Sequence, residues 1–160
     1  MTAGQVLVDL GGLKDIMTRI LGIDVGDKTL GLALSDDLGL TAQGLETLAR
    51  RGPRADITKL RALTEEFSVK EIVVGLPKML NGSLGVQAQK VLVFVELLSQ
   101  SLGLPVATWD ERLTTVAAHR VLREMNVKSH SKRRRAVDSL AAQFILQGYL
   151  DHKNASSPRP

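Results

Sequence analysis

Ile20-Leu-Gly-Ile-Asp-Val-Gly-Asp-Lys-Thr-Leu-Gly-Leu-Ala-Leu34 is the stretch whose reading decides the fold. An apolar run over 20–25, a Gly26-Asp27 turn and a second apolar run over 29–35 predict an antiparallel hairpin. Inside the first run stands one acid, Asp24. A carboxylate within a buried strand costs roughly several kcal/mol unless a cation or a metal pairs with it. Asp24 is therefore either the cap of the turn that follows or one member of a ligand set.

Outward from the hairpin, residues 42–48 read as a weaker third strand. Gly52-Pro53 breaks the chain, and Pro53 suits the first turn of a helix. Ile57, Leu60, Leu63, Thr64 and Phe67 then recur at helical spacing. Residues 71–75 have the uninterrupted apolar interior of a strand in a parallel sheet. A loop rich in turn formers over 76–85, a helix over 86–102 and a short strand over 105–109 follow. Two helices are expected at 113–125 and 132–151. The organisation predicted is a flexible N-terminal extension over 1–18, one domain over 19–151 and a polar, Pro-containing disordered tail over 152–160.

A chain of 160 residues is enough for one domain with a substantial core. Without cysteine there is no disulfide frame, no thiolate zinc site and no cysteine nucleophile. No apolar run approaches the roughly 20 residues of a membrane helix, and the start lacks the pattern of a signal peptide. The expectation is a cytoplasmic protein with no membrane partner. Net charge is +4, which favours an anionic partner such as nucleic acid. Phe67, Phe94, Trp109, Phe144 and Tyr149 are the whole aromatic complement, too few for a single-strand binder built on stacking. Backbone electrostatics and shape fit such a chain better.

Three acidic positions stand out: Asp24, the pair Asp110-Glu111 at the end of the fifth strand, and Asp138 in the last helix. Asp138 follows Val137, close to the apolar stripe of Ala136, Val137, Leu140, Ala141, Phe144 and Ile145. Clustered carboxylates repel one another and raise each other's pKa values, and a divalent cation removes the repulsion. Hard oxygen ligands suit Mg²⁺ or Mn²⁺. Two such ions about 4 Å apart clamp the attacking water and the leaving oxygen of a phosphodiester. Each acid also has a plainer reading. Asp24 caps a turn, Asp110 caps a helix, and Asp138 pairs with Arg134 or Arg135.

Five motifs in order carry a resemblance: Ile23-Asp-Val-Gly-Asp-Lys-Thr-Leu-Gly-Leu-Ala33, Ile72-Val-Val-Gly-Leu-Pro77, Asn81-Gly82, Asp110-Glu-Arg-Leu-Thr-Thr115 and Lys132-Arg-Arg-Arg-Ala-Val-Asp-Ser-Leu-Ala-Ala142. Together, over about residues 19–151, they resemble the YqgF/RuvX family of Holliday junction resolvase-like nucleases, also implicated in trimming the 5′ end of precursor 16S ribosomal RNA. The element order β-β-β-α-β-α-β-α-α likewise resembles the α/β ribonuclease H-like fold. That resemblance implies a five-stranded mixed sheet in the order 3-2-1-4-5, flanked by helices, with right-handed crossovers. It also implies that Asp24, Glu111 and Asp138 form the acidic, metal-binding triad. One departure matters: related resolvases place an acid at the end of the fourth strand, where this chain has Gly75-Leu76. The acid must then come from the fifth strand and reach across a gap, with Asp110 as a rival to Glu111.

Lys128-Ser-His-Ser-Lys-Arg-Arg-Arg135 leads directly into the helix bearing Asp138. Such a run is often only a solvated face, but its position favours phosphate contacts by Lys132, Arg133, Arg134 and Arg135. Ser131 is a suitable N-cap, and Lys28 and Arg112 are further phosphate candidates. His130 reads as a surface residue and His119 as structural. The function expected is metal-dependent phosphodiester hydrolysis on structured RNA or branched DNA. The alternative is a non-catalytic nucleic-acid-binding factor in ribosomal RNA maturation. An Asp-x-Gly hairpin also opens actin-like ATPases, but those need two such domains and this chain has one hairpin of the kind. Cleaving two symmetry-related strands requires a non-covalent homodimer, whereas trimming RNA is compatible with a monomer.

Overall fold

In the computed structural model, residues 18–114, Val121, Glu124 and 131–156 are described, with the backbone alone for 131–138. Strands β1 (Arg19–Val25) and β2 (Thr29–Ser35) form the expected hairpin, with Asp24 opposite Gly31 and Val25 opposite Leu30. β3 (Ala42–Ala49) continues the antiparallel half against β2. β4 (Val69–Leu76) lies parallel to β1, and β5 (Val106–Asp110) parallel to β4. The sheet order is β3-β2-β1-β4-β5, the mixed ribonuclease H-like arrangement.

Strand alternation divides the core in two. Leu21, Ile23, Ile72, Val74 and Leu76 face α1 (Pro53–Glu66) and α2 (Val86–Leu102), packing with Leu60, Val91 and Leu98. Ile20, Ala33, Val73 and Trp109 face α3 (Ser131–Ser156), packing with Ala142, Ile145, Leu146 and Leu150. α3 approaches β1 so closely that a Cβ on Gly22 would lie 2.8 Å from the Leu146 Cβ. Its direction follows from its contacts. Ile145 meets Gly75 near the end of β4, whereas Tyr149 and Lys153 bond Glu71 near its start. α3 therefore runs antiparallel to β4, and its N-terminal half extends toward the C-terminal ends of β1, β4 and β5.

Three departures from the sequence reading exceed a single residue. β4 begins two residues earlier, at Val69, because Val69 is itself buried in the core. After β5 the chain makes a 3₁₀ turn, η1 (Glu111–Leu113). Of the helix expected over 113–125, Val121 and Glu124 are helical, and most of the remainder lies outside the described residues. The last helix does not stop at 151 but continues through Ser156. Lys153 Nζ donates to Glu71 Oε2 at 2.6 Å and Asn154 Nδ2 to the Gly39 carbonyl at 3.0 Å. These long-range partners hold a polar segment that has no apolar periodicity to announce it. Residues 1–17 and 157–160 lie outside the described residues.

Candidate active site

Asp24 is the next-to-last residue of β1 and is half-buried, at the strand's end rather than deep within it. By alternation it shares the α3 face of the sheet with Gly22. One step beyond the Ile23–Val74 pair on the neighbouring strands stand Asp24 and Gly75. Gly75 pairs in turn with Trp109 and Leu76 with Asp110, which brings Glu111 to the same end of the sheet.

From the end of β5, Glu111 reaches onto the neighbouring strand β4 at Gly75. A Cβ built there would lie 2.6 Å from Glu111 Oε1 and 2.5 Å from Ile145 Cδ1. The absent side chain is thus the space that the Glu111 carboxylate occupies over β4. Burial, reinforced by the negative charge of Asp110, raises the Glu111 pKa above its ordinary value.

Asp110 does something different. Its carboxylate accepts the Arg112 backbone N–H at 3.0 Å, capping η1, and pairs with the Arg112 guanidinium at 2.7 Å. The Arg112 side-chain hydrogen bond is the main cause of a lowered Asp110 pKa. Arg112 also donates to the Leu80 carbonyl at 3.4 Å, tying the loop after β4 to η1. Two neighbouring acids are thereby sorted: one faces a cation and the other faces the end of the sheet.

Position 138 lies in α3, one turn before Ala142 and two before Ile145, which both pack against the sheet. The next residue, Ser139, donates to the Leu32 carbonyl at 3.3 Å. Leu32 pairs with Ile23, one rung from Asp24. The backbone therefore carries position 138 to the C-terminal end of β1, while the Asp138 side chain lies outside the described residues. Lys132, Arg133, Arg134 and Arg135 form the first turns of α3, and their side chains too lie outside the described residues. His119, Lys128 and His130 lie outside them altogether. Lys28 is exposed in the β1–β2 turn.

Among the described residues no three acidic or histidine side chains gather into a metal-holding group, while the Glu111 carboxylate is of the hard-oxygen type that suits a divalent cation. The reason is electrostatic: Glu111 is a desolvated carboxylate whose neighbour Asp110 adds to its charge burden, so a cation near it relieves both effects.

Comparison with known proteins agrees with this architecture. The RuvX sequence family, described as Holliday junction resolvase, matches residues 18–152. The chain belongs to the RuvX family. Curated relatives of this RuvX chain carry the name "Putative pre-16S rRNA nuclease". That of Moorella thermoacetica is 56% identical over 133 residues, covering 83% of this chain and 94% of the relative. That of Clostridioides difficile is 55% identical over 135 residues, covering 84% and 95%. Among solved structures, T. thermophilus RuvC in complex with a Holliday junction substrate superposes with a TM-score of 0.57 at 16% identity, covering 88% of this chain and 98% of RuvC. Fowlpox virus resolvase, in complex with Holliday junction DNA, gives 0.51 at 10% identity, covering 85% and 99%. At such identities the structural likeness speaks for the RuvX fold alone.

Proposed function

We propose that this protein is a metal-dependent nuclease that hydrolyses phosphodiester bonds of structured nucleic acid, acting in the cytoplasm on the 5′ end of precursor 16S ribosomal RNA. One observation carries the reading: Glu111 lies over the side-chain-free Gly75, next to the β1 position that bears Asp24. Membership of a family whose members are named pre-16S rRNA nucleases supports the choice of substrate.

In this reading Asp24, Glu111 and Asp138 hold Mg²⁺ or Mn²⁺, and Asp110 is not a ligand because Arg112 engages it. The bound metal supplies charge neutralisation at the scissile phosphate and lowers the pKa of a water. The rest falls to the protein. Lys28 and the run Lys132, Arg133, Arg134 and Arg135 attract the phosphate backbone and set its register. Arg112, already shared between Asp110 and Leu80, holds the loop beside Glu111 and offers its exposed edge to a phosphate.

The test is a cleavage panel in Mg²⁺ and in Mn²⁺ on precursor 16S RNA, splayed duplexes and four-way junctions. Wild type is expected to cut precursor RNA, and Asp24→Asn and Asp138→Asn to lose cutting while retaining binding. Wild type that binds RNA without cutting under either metal makes the protein a non-catalytic maturation factor instead. Cutting of junctions in preference to RNA moves the substrate to branched DNA.

A further inference from the structure

Arg50 sits at the exit of β3, outside every motif of the acidic site, yet its side chain reaches the turn that follows Asp24. Its backbone N–H donates to the Lys28 carbonyl at 2.9 Å, continuing the β2–β3 ladder by one rung. Its Nη1 donates to the Gly26 carbonyl at 2.9 Å, and its Nε to Asp56 Oδ2 at 3.2 Å. The guanidinium lies over the Phe94 ring, 5.2 Å from the centroid. Asp56 is only 3% exposed and is held in turn: its Oδ1 accepts the Arg51 N–H at 3.0 Å, and its own N–H donates to the Gly52 carbonyl at 2.9 Å. The turn itself closes through the Gly26 N–H donating to the Thr29 carbonyl at 2.9 Å.

We propose that Arg50 is a positioning residue: braced by Asp56 and Phe94, it fixes the β1–β2 turn and thereby sets where Asp24 and Lys28 stand. The metal-site half of this inference rests on the nuclease reading above. A partly buried ion pair such as Arg50–Asp56 is a poor source of stability, because desolvation offsets much of the attraction. Stability here comes from the two apolar clusters. What the pair supplies is geometry. A guanidinium can address a carboxylate, a carbonyl and an aromatic face at once, which a lysine ammonium cannot. The three partners come from the β1–β2 turn, α1 and α2, so the turn is referenced to the helical layer as well as to the sheet. Groups that orient metal ligands indirectly typically change metal affinity or activity by about 10- to 100-fold when removed.

The experiment compares full-length wild type, Arg50→Met, Arg50→Lys and Val91→Ala, the last a core variant of α2 outside this network. Amide hydrogen exchange over 24–31 and the Mg²⁺ concentration for half-maximal cleavage are both measured. Arg50→Met is expected to speed exchange at 24–31 selectively and to raise the Mg²⁺ requirement about tenfold. Arg50→Lys should recover part of both, and Val91→Ala should lower the melting temperature without moving either. An Arg50→Met exchange pattern like that of Val91→Ala, or an unchanged Mg²⁺ requirement, overturns the proposal. Should Arg50→Met fail to fold, Arg50→Lys decides by the same two readouts, with a smaller shift expected. If wild type cuts no substrate, the nuclease reading fails by itself. Mn²⁺ binding followed by electron paramagnetic resonance then replaces cleavage: weaker binding in Arg50→Met supports the inference, and equal binding, or none in wild type, overturns it.

Discussion

Glu111 carries its carboxylate where burial and the Asp110 charge both favour the neutral form. Its folded-state pKa lies above the ordinary value of 4.5, so its contribution to stability is fully present below about pH 4.5 and is lost as pH rises through the folded value. At neutral pH, without metal, the ionised group therefore opposes folding. Glu111→Gln is expected to raise the melting temperature of metal-free protein at pH 7. The gain should vanish near pH 4, and cleavage should be lost at every pH. Calorimetry across pH 4–7, in chelator and then in Mg²⁺, checks the sign, because bound metal should reverse the ranking of the two proteins. The sequence left Asp110 and Glu111 as rivals, since adjacent acids look alike in one dimension. The 3₁₀ turn and the Arg112 pairing separate them, and neither leaves a periodicity to read. Arg50 and Asp56 escaped notice for a similar reason: six positions apart across a chain break, they show no spacing that marks a pair.

Between elements, the decisive contact is that of β4 with α3 and η1 at Gly75. Gly75 is not at positive φ, so replacing it tests space rather than backbone conformation. Gly75→Ala drives a methyl against Ile145 Cδ1 and Glu111 Oε1. The expected loss of stability is about 1–3 kcal/mol, typical of an overpacked core. The expected fall in cleavage is about tenfold or more, because Glu111 must swing away. Thermal unfolding and cleavage rates on the same preparation check both; normal cleavage with reduced stability would leave Glu111 without the assigned role. The hairpin, the buried fourth strand and the first two helices were legible because period-2 and period-3.6 patterns survive in the chain. The last turns of α3 were not. Lys153 and Asn154 dock on Glu71 and Gly39 through polar side chains, and docking of that kind resembles a solvated tail in sequence.

At the scale of the whole molecule, the net charge of +4 and the basic start of α3 predict salt-sensitive binding to nucleic acid. Replacing Lys132, Arg133, Arg134 and Arg135 together by alanine should reduce the slope of log affinity against log salt concentration by about 3–4, at roughly 0.9 per lost phosphate contact on a duplex. Fluorescence anisotropy with one duplex at several salt concentrations measures it, and an unchanged slope would return the run to a solvated face. Fold and charge were readable at this scale because they are sums over many residues. The proposed convergence of 24, 111 and 138 involves three residues far apart in the chain, and the five-motif resemblance rather than periodicity pointed to it. The most direct test is a crystal structure grown with Mn²⁺, with the ion located by its anomalous signal. The account predicts manganese at the C-terminal ends of β1 and β4, coordinated by oxygens from Asp24, Glu111 and Asp138. Manganese bound elsewhere, or an Asp138 carboxylate turned away from the other two, would contradict it.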